Sequence, residues 1–153
     1  MTAGTFAPVP SAMELLLLNA TAVLVLSGII WFVQLVHYPL FAAVGKDGWD
    51  AYHRDHSRRT TWVVIAPMTF DLVTSIALVF ERPATIEAGL AEAGVAAAIV
   101  TWAATGALAV PAHRALGAGW DASLVRRLVR VNWLRTAAWT AHAALVLAML
   151  AST

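Results

Sequence analysis

Four apolar stretches dominate this chain: roughly Met13 to Tyr38, Thr61 to Phe80, Ala93 to Val110 and Val131 to Ala151. Each approaches the ~20 residues that a helix needs to cross ~30 Å of hydrocarbon. In 153 residues they leave room for one membrane-integral domain and no second. With 60% hydrophobic and only 12% charged residues, the chain lacks the polar shell of a soluble domain. The expected fold is therefore all-α: an antiparallel four-helix transmembrane bundle. A short amphipathic cytoplasmic helix is expected before the second span, because Trp49, Tyr52, His53 and His56 repeat at helical spacing while Arg54, Asp55 and Arg58 fall opposite.

Charge sets the orientation. Lys46, Arg54, Arg58 and Arg59 lie between the first two stretches, and Arg114, Arg126, Arg127 and Arg130 lie around the connection of the last two. The middle connection has only Arg82, beside Glu81, Glu87 and Glu92. The positive-inside bias then predicts an inner-membrane protein with its first and third loops cytoplasmic and both termini outside. Trp49, Trp62, Trp120 and Trp133 fall near the inferred cytoplasmic boundary, as an aromatic belt would. The first stretch reads as a retained span, since no Lys or Arg precedes it and it is long for a signal h-region. A net charge of +1 gives no reason to expect a nucleic-acid partner.

Prolines and glycines punctuate the helices. Thr2 to Ser11 reads as a flexible lead, Pro39 should end or bend the first helix, and Gly45 to Gly48 form a turn. Pro67 should kink the second span, Pro111 should end the third near His113, and Asp121 is the expected N-cap of the last helix. The Ala- and Gly-rich third stretch suits close helix approach.

At 100° per residue, Asn19, Val23, Ser27, Ile30, Gln34 and His37 share one stripe. His53, His56, Thr60, Pro67, Asp71 and Thr74 share another, and Leu128, Asn132, Arg135, Trp139, His142 and Val146 form a seam of alternating fours and threes. Polar groups facing lipid are costly, with a central Asp or Arg at ~2.5–3.5 kcal/mol on the lenient insertion scale, so these stripes should face one another. His37, His53, His56, His113, Asn132 and Arg135 then gather near the cytoplasmic boundary, and Asp71 and His142 meet deeper as a proton-handling pair.

Imidazoles and a carboxylate on facing helices are ligand types for haem iron or a transition metal, Fe or Cu. His37 and His113, with Gln34 nearby, are the expected cofactor-binding residues, and His37, His53, His56 and His113 the expected metal ligands. Asp71, His142, Arg135 and Asn132 are the expected catalytic groups. Taken singly, Gln34 and Asn132 read first as interhelical hydrogen-bond groups, while His53 and His56 read equally as interfacial residues and Arg135 equally as a snorkelling one. Cysteine is absent, so thiolate ligands and dithiol chemistry are excluded. No His has a Glu three residues before it, so the diiron Glu-x-x-His signature is missing.

The stretches QLVHYPLF from Gln34 to Phe41, PAHRAL from Pro111 to Leu116 and NWLRTAAW from Asn132 to Trp139, with Pro67 ahead of Asp71, resemble small bacterial four-span membrane proteins distantly similar to the anthrone oxygenase-like group. The resemblance covers most of the chain through loose motifs. It implies His37, His113, Asn132 and Arg135 as site positions and, where that group's members have an assigned activity, oxygen-dependent oxidation of a polycyclic aromatic. The leading expectation is a membrane oxidoreductase acting on a lipophilic small molecule, with haem b or a metal near the cytoplasmic leaflet, or with no cofactor and Asp71 or His142 as general base. The alternatives are a non-catalytic ligand-binding or transport protein, and a subunit or assembly factor of a larger membrane complex. Membrane lipid is the expected surrounding, with a homo-oligomer as one assembly open to the chain.

Overall fold

Ser11 starts the first helix through a reciprocal cap: its hydroxyl accepts from the Glu14 amide at 3.3 Å, and its own amide donates to the Glu14 carboxylate at 2.8 Å. The computed structural model describes residues 10–153, so most of the lead expected at Thr2 to Ser11 lies outside the described residues. From this cap, α1 runs over Ala12–Phe32, followed by a π-helical turn at Val33–His37 and by α2 over Tyr38–Glu81. Then come α3 at Ala88–Ala104, a second π-helical turn at Thr105–Ala109, α4 at Val110–Leu116 and α5 at Ala122–Ala151. Among the described residues there is no strand.

Three continuous helical stretches are long and apolar enough to cross a membrane: Ala12–Glu81, Ala88–Leu116 and Ala122–Ala151. The first contains two of the four apolar stretches and is broken at Gly45, whose φ of 74° no residue with a Cβ adopts cheaply. There the chain reverses, because Asn19 on α1 hydrogen-bonds to Asp71, Thr74 and Ser75 on α2. The turn expected at Gly45 to Gly48 is thus confined to Gly45. Beyond it α2 is unbroken, so the expected separate amphipathic helix is the leading part of one helix that continues through Pro67 with helical backbone dihedrals.

Pro39 and Pro111 do not end their helices. In each case a five-residue π turn finishes two residues before the proline, and the amide of the intervening residue bonds five positions back, Tyr38 to Val33 and Val110 to Thr105. A proline lacks the amide proton and its ring presses on the carbonyl four residues earlier. Widening the preceding turn relieves that clash while keeping the chain helical. The same device therefore holds His37 and stands just ahead of His113.

Helix α1 packs on α2 and α5, and α3 packs on the same two helices. The polar stripes face inward: Asn19, Ser27, Gln34, Asp71, Thr74, Asn132, Arg135 and His142 are buried. Apolar side chains cover the outside, with Trp62 75% and Phe80 78% exposed. That inversion suits a lipid solvent and would be an aggregation hazard in water. Trp49 departs from the expected interfacial belt: it is 1% exposed, and its indole donates to the Leu116 carbonyl at 2.8 Å, tying α2 to the end of α4. The small residues Ala91, Gly94 and Ala98 of α3 are buried, and a Cβ at Gly94 would meet Met149 at 2.9 Å. These three positions serve internal packing on α5.

Candidate functional site

Four of the five histidines come together at the end of the molecule that carries the Arg-rich connections. The π turn places His37 beside His56 of α2, with His37 Nε2 2.8 Å from His56 Nδ1. One helical turn away, His53 Nε2 stands 3.3 Å from His113 Nδ1. The two pairs join through His56 and His113, whose ring centroids are 5.2 Å apart. Trp49 stacks on His53 at 5.1 Å, and Phe41 meets the edges of His37 and His56. Each close N···N contact needs one tautomeric proton between two lone pairs.

Tyr38 completes the group. Its hydroxyl lies 2.8 Å from His113 Nε2, so both nitrogens of His113 are engaged. The His56 and Thr60 side chains also touch, at 3.1 Å. His53, His56 and His113 lie in the stretches that connect the apolar spans. Burial holds the His53 imidazole below the usual histidine range, and burial together with repulsion from neighbouring imidazoles does the same to His56 and His113. Near pH 7 these rings are neutral, the form that ligates metals. Among the described residues, no three imidazole or carboxylate groups already converge on a point in ligating geometry.

Beside the histidines, Gln34, Asn132, Arg135 and Thr105 form a chain across three segments. Asn132 donates to Gln34 Oε1 at 2.9 Å, while its own Oδ1 accepts from Arg135 Nη1 at 2.8 Å. Arg135 Nε also donates to Thr105 Oγ1 at 3.3 Å, and Gln34 Nε2 to the Val129 carbonyl at 3.2 Å. Gln34, expected beside a cofactor, thus engages α5 and fixes the orientation of Asn132. Arg135 does not snorkel: it is 8% exposed and lines a cavity of about 250 Å³ with Tyr38, His56 and His113.

Asp71 and His142 meet as expected, Oδ1 to Nε2 at 3.8 Å, with both side chains fully buried. They do not join the histidine cluster. His56 and Asp71 are separated by about 22 Å of helix at 1.5 Å per residue. Asn19 takes part instead, donating to Asp71 Oδ1 at 3.2 Å, and Ser75 adds a bond at 3.1 Å. Tyr38, Asn19, Thr105 and Ser75 take part without a role that the sequence assigns. Asn19 signals itself only by membership of the α1 stripe and Tyr38 only by adjacency to His37.

Comparisons with family models, with curated proteins and with solved structures find no match.

Proposed function

We propose that this chain is a four-span inner-membrane protein that binds one transition-metal ion, Fe or Cu, through His37, His53, His56 and His113, and that it oxidises or reduces a lipophilic small molecule beside that ion. The carrying observation is the pairing of four imidazoles, with N···N separations of 2.8 and 3.3 Å. Nitrogens bound tetrahedrally at ~2.0–2.1 Å stand about 3.3 Å apart, which the His53–His113 separation matches and the His37–His56 separation undershoots, so an ion would replace the shared protons and reorient the rings. Rotation about the broad χ2 of each ring would turn them to a common centre. Imidazole-only coordination suits Cu, Fe, Zn or Ni, and of these Fe and Cu carry electrons. Direct contact between the rings favours a bare ion over haem, whose macrocycle must lie between its axial ligands.

Elemental analysis and an optical spectrum of the protein purified without added chelator test this reading. About one Fe or Cu per chain is expected; a protein free of metal and of any chromophore would sink it. The topology belongs to the same proposal, with the break at Gly45 turning the first long helix into two spans and the histidines on the cytoplasmic side. A cysteine in place of Lys46 should react with a membrane-impermeant maleimide only in inside-out vesicles. Labelling in intact cells would reverse the orientation.

A further inference from the structure

Arg135 is a buried cation without an anion. Among the described residues the ion pairs are Arg58 with Asp55 and His142 with Asp71, and no carboxylate lies within 4.0 Å of Arg135. Its bonds run to the neutral oxygens of Asn132 and Thr105. Gln34 fixes the Asn132 amide from the far side, so the guanidinium is held in place. An unpaired Arg within a span is costly, and such residues ordinarily pair or line a polar cavity.

Arg135 lines the cavity named above. Around it the polar wall includes Tyr38, His56, Ser57, Thr60, Thr61, Thr105 and His113, and the apolar wall is Val64, Ala109 and Val110. The titratable groups facing it are Arg135 from α5, His56 from α2, Tyr38 at the start of α2 and His113 from α4. None is an acid that ionises near neutral pH. Asp50 and Asp55, the acids nearest in sequence to His53 and His56, are exposed. A volume of about 250 Å³ is below the ~300–1,000 Å³ of sites for drug-sized ligands, so it suits the head of an amphipathic molecule.

We propose that this cavity binds the carboxylate head of a lipophilic acid, with Arg135 as its counter-cation, Tyr38 as a second hydrogen-bond donor and the Val64, Ala109 and Val110 wall against its apolar body. The inference rests on the membrane reading above but not on the metal.

The test titrates the purified full-length protein in lipid nanodiscs with 2-naphthoate against 2-naphthamide, and with decanoate against methyl decanoate. The two pairs distinguish aromatic from aliphatic bodies. Each carboxylate of an accepted body class should bind roughly 10-fold or more tightly than its neutral partner, as charge-assisted bonds exceed neutral ones. Arg135→Gln should bring that ratio close to one. Arg135→Lys should retain part of it, since lysine supplies the charge without the fork. Equal binding of acid and neutral analogue, no binding by any acid, or a preference that survives Arg135→Gln would each overturn the inference. The unaltered protein alone decides the first two, so a variant that fails to fold leaves the test intact. Titrations run with and without chelator separate the readings: an acid preference that needs metal and survives Arg135→Gln retains the metal site and rejects the arginine site.

Discussion

His113→Ala is expected to lower metal affinity by roughly 100-fold or more, since loss of a partner that merely orients a ligand costs about 10–100-fold. His113 is the one imidazole with both nitrogens engaged, by His53 at 3.3 Å and Tyr38 at 2.8 Å, and its ring also neighbours that of His56. Removing it opens the link between the two histidine pairs and leaves at most three ligands. The fold should survive, because the residue is only half-buried and sits on the short α4, whose end is held by the Trp49 indole. A stability loss of about 1 kcal/mol, typical of a single substitution, is the expected structural effect. Tyr38→Phe keeps every imidazole and should weaken the ion less, by about 10-fold. The decisive measurement is metal content after dialysis against a graded chelator series. Equal retention by the unaltered protein and by His113→Ala would remove His113 from the ligand set.

Helical phase made much of this arrangement legible in the sequence. The seam Leu128, Asn132, Arg135, Trp139, His142 and Val146 on α5 is buried throughout, because a polar group in lipid has nowhere to face but inward. The same reasoning placed Asn19, Ser27, Gln34, Asp71 and Thr74 correctly. What escaped was whatever depends on local backbone geometry or on a partner distant in sequence. Pro39 read as a helix end or bend and Pro111 as a helix end because the missing proton is visible in the sequence, while the π turn that relieves the clash has no residue code of its own. Trp49 read as an interfacial anchor because its exposure depends on the Leu116 carbonyl, 67 residues away. The bonds of Asn19 to α2 depend likewise on the reversal at Gly45.

The Asp71 and His142 pair should dominate stability as the histidine cluster dominates ligand binding. Both side chains are fully buried, and neither Asp71 Oδ2 nor either His142 nitrogen has a hydrogen-bond partner among protein atoms. His142 lies flat on Trp139 with ring centroids 5.9 Å apart, so its ring plane is constrained. With one proton between them the two groups are neutral together, whether the proton resides on carboxylate or imidazole. Substituting either one leaves a charge, or a polar group without its counterpart, in a hydrocarbon-like interior. Asp71→Ala and His142→Leu should each cost about 3–5 kcal/mol, the range for breaking a buried pair from one side. The double variant, which leaves neither charge, should cost less than the sum of the two by about 1–3 kcal/mol. Asp71→Asn keeps an oxygen to accept from Asn19 and Ser75 and should be the mildest change. Unfolding in mixed detergent micelles measures all four variants. If the single costs simply add, the two residues are separate neighbours, and the proton-handling role loses its physical basis.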